Sequence, residues 1–173
     1  MAVHEPWSTE RAAQVIQQHR HLDGAAMPIL HALQETFGFV PEPAVPMIAE
    51  SLNLSRAEVW GVVTFYHDFR REPAGRHVVK LCAAEACQSM GGAALAAYAE
   101  DKLGVAMGET SADGRVTLEP IYCLGLCACA PSALVDGQLL GRLDEAAIDE
   151  IAQDIAQDIT RDIARDGVKE MAR

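Results

Sequence analysis

The chain is short of basic residues. Its 173 residues carry 14 Lys and Arg against 25 Asp and Glu, a formal net charge of −11. Nucleic acid is gripped by clustered Lys and Arg, so it is excluded as a partner. No uninterrupted apolar run has the length of a transmembrane helix, so direct membrane insertion is not expected. The opening Met1-Ala2-Val3-His4-Glu5-Pro6-Trp7 has neither a basic n-region nor an apolar h-region. A cytoplasmic, reducing setting is therefore expected, where cysteines bind metal or do chemistry more often than they pair as disulfides. No Gly-rich dinucleotide fingerprint follows a strand, and no nucleophile–base set stands out, so a substrate site within this chain is not expected. Half of the residues are apolar, enough for a real core.

What is present is cysteine. There are five, and four define two short motifs. Cys82 and Cys87 form a C-x4-C in Leu-Cys-Ala-Ala-Glu-Ala-Cys-Gln-Ser-Met-Gly-Gly. Cys123 and Cys127 form a C-x3-C in Ile-Tyr-Cys-Leu-Gly-Leu-Cys-Ala-Cys-Ala-Pro-Ser. Three readings compete. Four thiolates in two pairs suit a [2Fe–2S] cluster, two sulfurs for each iron. Four thiolates also suit a structural zinc ion, as in an adaptor module, although zinc knuckles use C-x2–4-C spacing. Buried cysteines can also act as small apolar residues. The small neighbours Ala83, Ala84, Ala86 and Gly125 let backbone amides approach cluster sulfurs, which favours the first reading. Neither stretch holds a histidine, so a Rieske-type centre is a poor fit. A thiol–disulfide oxidoreductase is disfavoured because its C-x-x-C is absent. Glu85, between the first two cysteines, reads as solvated.

On these residues the chain resembles the thioredoxin-like [2Fe–2S] ferredoxin family, which includes the 24 kDa subunit of NADH dehydrogenase. The resemblance rests on the C-x4-C at Cys82 and Cys87, the C-L-G-x-C from Cys123 to Cys127 and the Ala130-Pro131 that follows. It extends upstream through Leu30-His-Ala-Leu-Gln-Glu35, Phe37-Gly-Phe-Val-Pro41 and Gly61-Val-Val-Thr-Phe-Tyr66, and covers about residues 9 to 150. Within the family, the two cysteine stretches look most like the gamma subunit of soluble NAD-dependent formate dehydrogenases. Equivalent subunits of respiratory NADH dehydrogenase and NAD-linked hydrogenase remain alternatives. The resemblance implies an electron-transfer subunit with one [2Fe–2S] cluster on Cys82, Cys87, Cys123 and Cys127. It also implies a flavin (FMN)- and NAD-binding partner subunit and a larger catalytic subunit, to which the chemistry belongs. The family pattern makes Cys129 a non-ligand.

The expected fold class is α/β, a small N-terminal helical bundle followed by a thioredoxin-like [2Fe–2S] domain. The expected domains are 1–75 (bundle and linker), 76–150 (cluster domain) and 151–173 (helical extension and tail). Ser8 or Thr9 caps a first helix to about Arg20, with Ala12, Val15 and Ile16 at helical spacing. A second helix spans Ala26 to Thr36 and stops at Gly38. A third starts at Pro43 and runs to Leu52. Ser55-Arg-Ala-Glu58 is a capping box that opens a fourth, through Thr64 or Phe65. Trp60, Phe65, Tyr66 and Phe69 read as core or inter-domain packing rather than as an interface hot spot, although interfaces favour such residues, and His31 and His67 read as structural. The polar stretch Arg70–Arg76 reads as the linker.

His77–Cys82 and Val116–Tyr122 read as strands that each end at a cysteine. A helix from Gly92 to Leu103 lies between them. Asp136-Gly137 marks a two-residue hairpin. A final helix begins at Asp144 or Glu145. Isoleucine recurs at 151, 155, 159 and 163, and aspartate at 154, 158, 162 and 166. A four-residue spacing drifts slowly around a helix of period 3.6. The helix is expected to reach about residue 160, with a frayed tail from Gly167.

Overall fold

The structure is a computed structural model that describes residues 4–170, with side chains through residue 157. The chain forms two units, Met1–Ala74 and Gly75–Arg173.

The first unit is four helices. Ser8 is extended and its hydroxyl accepts the Arg11 amide at 3.3 Å, opening α1 (Thr9–His19). α2 (Ala26–Phe37) ends where Gly38 turns left-handed. α3 (Ala44–Leu52) follows Pro43. α4 (Arg56–Phe65) opens on a complete capping box, with the Glu58 amide donating to Ser55 Oγ at 3.1 Å and the Ser55 amide donating to Glu58 Oε2 at 2.8 Å. The apolar stripes meet in one core of Ile29, Leu30, Leu33, Ile48, Val59 and Val63. Burying a side chain of this size stabilises by about 1.5–3 kcal/mol.

Two expectations for this unit are corrected. Phe69 is core, but Phe65 is 73% exposed, Tyr66 45% and Trp60 37%. The buried stripe of α4 is Val59 and Val63, with Val62 partly buried against the same core, while Trp60 and Phe65 fall on its outer side and Tyr66 just past its end. The stretch after α4 is also not a free linker from its start. Gln34 Nε2 donates to the Asp68 carbonyl at 2.7 Å, its Oε1 accepts the Arg70 amide at 2.7 Å, and the Arg70 carbonyl accepts the Val40 amide at 2.8 Å. His31 packs its ring on Phe69 at 5.0 Å, a structural role.

The second unit is a four-stranded sheet with helices. β1 (His77–Cys82) is central and β2 (Val116–Ile121) runs parallel to it, His77 opposite Val116 through Cys82 opposite Ile121. The crossover between them carries α5 (Glu85–Ser89) and α6 (Gly92–Leu103). β3 (Ser132–Val135) pairs antiparallel on the other side of β1, and β4 (Gln138–Gly141) pairs antiparallel with β3. The order is β2-β1-β3-β4. Asp136 and Gly137 both take positive φ, 48° and 86°, the geometry a tight two-residue hairpin requires. Asp136 also ties the hairpin to β1: its carboxylate meets His77 Nδ1 at 2.7 Å and accepts the Val78 amide at 2.8 Å.

α7 (Glu145–Glu170) starts on Asp144, whose carboxylate accepts the Ala147 amide at 2.9 Å. It buries Ile148, Ile151 and Ile155 against a core that includes Leu95 and Ala99 of α6 and Val79, Leu118 and Ala133 of the sheet. α7 crosses residue 150 unbroken and runs past the expected end near residue 160, through the Gly167 expected to begin a tail. The side chains of Asp158, Ile159, Asp162, Ile163 and Asp166 lie outside the described ones, as do residues 171–173. Among the described residues no helix is long and apolar enough to cross a membrane.

Candidate metal centre

The four thiols singled out by spacing lie in the second unit, at the end of the sheet where β1 and β2 finish. β1 delivers Cys82 as its last residue. The next turn is not the plain loop that the sequence suggests, because α5 forms there and carries Cys87. Both sulfurs are shielded, Cys82 being 7% exposed and Cys87 2%. The chain passes Cys87 closely: a Cβ at Gly92 would lie 2.6 Å from the Cys87 carbonyl oxygen, so the first residue of α6 has to be glycine.

β2 ends at Ile121, and the chain leaves the sheet through Tyr122 and Cys123. Cys123 takes φ +76°, a left-handed conformation that costs a residue with a Cβ on the order of 1 kcal/mol. Gly125 follows at φ +78°, and Cys127 opens a single turn of 3-10 helix, Cys127–Cys129. Cys123 and Cys127 are exposed, and their sulfurs stand 3.7 Å apart. That is about the edge of a tetrahedral thiolate site with metal–sulfur bonds of about 2.3 Å.

The two loops meet. Burial, the largest influence on Cys82, opposes its ionisation. The backbone amides of Ala84, Cys123 and Leu124 and the Cys87 thiol outweigh burial together and draw its pKa from 9.0 down to about 7. Two of those amides come from the opposite cysteine stretch. The pKa of Cys127 is pushed up, first by its hydrogen bond with Cys123, then by the charge of Cys123, by burial and by Cys87 nearby. Ser132 Oγ, at the start of β3, stands 3.6 Å from Cys87 Sγ.

The thiols are disposed as pairs. Among the described residues no group of three or more His, Cys, Asp or Glu side chains is gathered for a single metal ion. Cys129 is held by other contacts: its amide donates to the Leu126 carbonyl at 2.8 Å, and its own carbonyl accepts the Arg142 amide at 2.6 Å. A Cβ at Gly141 would stand 2.9 Å from Cys129 Cβ, so Cys129 packs on the end of β4. Glu85 is exposed, as its sequence position suggests. Spacing gives no sign of Ser132 or of the Cys123 and Leu124 amides, because only the fold brings them to the thiols. A donor set of four thiols, partly desolvated, with amides aimed at one sulfur, fits a group of two irons.

Comparison with known proteins agrees with this chemistry. A family model described as thioredoxin-like [2Fe–2S] ferredoxin matches residues 12–156. An NADH-quinone oxidoreductase subunit of Pseudomonas aeruginosa is 36% identical over 135 residues, 77% of this chain and 81% of that protein. Its counterpart in Escherichia coli (strain K12) is 35% identical over 148 residues, 84% of this chain and 89% of that protein. The NADP-reducing hydrogenase subunit HndA of Solidesulfovibrio fructosivorans is 28% identical over 138 residues, 80% of this chain and 81% of that protein. Among solved structures, an NAD+-reducing [NiFe]-hydrogenase in the H2-reduced state is similar with a TM-score of 0.63 and 27% identity, covering 74% of this chain and 22% of that one.

Proposed function

The chain belongs to the thioredoxin-like [2Fe–2S] ferredoxin family, and from that premise we propose that Cys82, Cys87, Cys123 and Cys127 together hold its [2Fe–2S] cluster. Cys82 and Cys87 serve one iron, Cys123 and Cys127 the other, and Cys129 serves neither. The observation that supports this reading is that the Cys123 and Leu124 amides of the second cysteine stretch act on the Cys82 thiol of the first.

When bound, the cluster supplies one-electron transfer. The chain's residues do the rest. Cys82 and Cys87 exclude water from their side of the site. The amides of Ala84, Cys123 and Leu124 donate to the Cys82 sulfur, which favours added negative charge there. Ser132 faces the Cys87 sulfur. Cys123 and Cys127 stand at the surface, where a partner can come within electron-transfer reach.

The chain is an electron-transfer subunit of a multi-subunit complex, like the relatives named above. We assign that complex as a cytoplasmic NAD-dependent formate dehydrogenase, with a flavin (FMN)- and NAD-binding partner subunit and a larger catalytic subunit. The assignment rests on the likeness of the two cysteine stretches to the gamma subunit of such enzymes. A second reading, the equivalent subunit of a respiratory NADH dehydrogenase, is favoured by the names of the relatives from Pseudomonas aeruginosa and Escherichia coli.

The test is anaerobic purification of the chain, with iron, sulfide and zinc analysis and an electron paramagnetic resonance spectrum after dithionite. Two irons and two sulfides per chain with a spin-half signal is the expected result. One zinc and no colour would overturn the reading in favour of a structural adaptor. Purification of the tagged chain with its native complex then separates the two assignments: formate-dependent reduction of NAD+ supports the first, and NADH oxidation without formate activity supports the second.

A further inference from the structure

The outer hairpin of the sheet touches both cysteine stretches. Ser132 of β3 and Gly141 of β4 are cross-strand partners. Ser132 faces the Cys87 sulfur, and Gly141 lies against Cys129. The pairing continues past them. The Arg142 amide donates to the Cys129 carbonyl at 2.6 Å, and the Leu143 amide donates to the Pro131 carbonyl at 3.0 Å. The backbone that leaves the Cys127–Cys129 turn is therefore laid along the end of β4.

Glycine destabilises a strand relative to alanine, so its place at 141 has a cause. Freedom of φ is not that cause. Arg142, not Gly141, takes the left-handed conformation, at φ +57°. Were backbone freedom the need, the glycine would stand one position later. Room is the cause. A Cβ at Gly141 would lie 2.9 Å from Cys129 Cβ and 3.0 Å from the Cys129 carbonyl oxygen. Carbon atoms rest at about 3.5–4.0 Å from one another, so an added methyl would drive the loop away by on the order of half an ångström. Cys129 does not move by itself. It shares one 3-10 turn with Cys127, closed by its amide on the Leu126 carbonyl at 2.8 Å. The shift is therefore passed to Cys127, whereas metal–ligand distances hold to about 0.2 Å.

We propose that Gly141 is a positioning residue for the cluster site: by admitting the Cys129 backbone against the end of β4, it fixes where Cys127 presents its sulfur. It acts through Cys129, which serves neither iron. This rests on the assignment of Cys82, Cys87, Cys123 and Cys127 as ligands given above.

The experiment uses the full chain, purified anaerobically, and follows iron release to EDTA and the g values of the dithionite-reduced signal. Gly141→Ala is expected to release iron on the order of tenfold faster, the scale of residues that support a metal ligand. The signal that remains is expected to show altered g values. Gly108→Ala controls for lost stability alone, because Gly108 is left-handed at φ +87° in open space. Its release rate and g values should match those of the unaltered chain. Adding Cys129→Gly to Gly141→Ala removes the nearer colliding atom, and should return the release rate to that of Cys129→Gly alone. Adding Cys129→Ala keeps that Cβ and should rescue nothing. The two double variants carry the same test if Gly141→Ala alone does not fold. Unchanged release and g values with Gly141→Ala overturn the proposal. So does an equal effect of Gly108→Ala, or a rescue that does not separate Cys129→Gly from Cys129→Ala. If the unaltered chain lacks two irons and two sulfides, the cluster reading falls and takes this one with it. If it holds them and Gly141→Ala is silent, only the positioning role falls.

Discussion

Cys82 and Cys87 are buried at the end of β1 and on α5, whereas Cys123 and Cys127 stand exposed on a loop beyond β2. The difference follows from the elements that carry them. β1 is the central strand, flanked by β2 and β3, and its last residue is buried. β2 is an edge strand, and the chain that leaves it is free to turn outward through two residues at positive φ. One pair is held by packing, the other by local backbone conformation. Four thiols are in this way given two unlike environments, one buried and one exposed.

The comparison is tested most severely by deleting a thiol. Cys82→Ser is expected to abolish the cluster, read as loss of visible absorbance and of the reduced spin signal. Cys129→Ser should keep both, because Cys129 packs on Gly141 of β4 and its backbone bonds to Leu126 and Arg142. Equal loss in the two variants would erase the distinction between ligand and neighbour.

Next in size come two glycines. Gly92→Ala drives a Cβ against the Cys87 backbone, and is expected to destabilise the chain by about 1–3 kcal/mol in urea unfolding and to lower iron content. Gly125→Ala meets open space. It is expected to cost only its left-handed backbone, about 1 kcal/mol, with the iron retained. A larger effect at Gly125 than at Gly92 would reverse the contrast of packing with conformation.

A pH series on the metal-free chain sharpens the same contrast. Cys82 has a folded-state pKa drawn down from 9.0 to about 7. Its ionised form therefore favours the folded state. That stability is fully present above about pH 9 and is lost as pH falls through about 7. The urea midpoint should rise between these two values, and Cys82→Ala should flatten the rise. Cys127 is shifted the other way, so its influence opposes folding above its ordinary value. A midpoint that falls from pH 7 to 9 in the unaltered chain would show that Cys127 dominates.

The smallest effect is expected at Ser132. Its hydroxyl faces the buried Cys87 sulfur at 3.6 Å. A hydrogen bond to a ligand sulfur stabilises the more negative, reduced state, so Ser132→Ala should make the midpoint potential more negative in a redox titration followed by electron paramagnetic resonance. An unchanged or more positive potential would remove Ser132 from the site.

Much of this is legible in the linear sequence, and the reasons are local. The capping box at Ser55 and Glu58, the stop at Gly38 and the hairpin at Asp136-Gly137 each depend on residues a few positions apart. The strands ending at cysteines can be read from β-branched runs. α5 cannot, because five residues around a cysteine give no periodicity. The outward side of α4 escapes sequence reading for a related reason. Apolar residues cover most of that helix, so spacing alone does not tell which side faces the core.

By itself the sequence determined the number and order of most elements, the donor type and the net acidity, because each follows from residue identity and short-range spacing. Only the tertiary structure decided which thiols are buried, which amides reach Cys82, that Cys129 rests on Gly141 and that Trp60, Phe65 and Tyr66 face solvent. Most of these depend on chain segments tens of residues apart meeting in one place. Burial and electrostatic environment are properties of that meeting, not of any single segment.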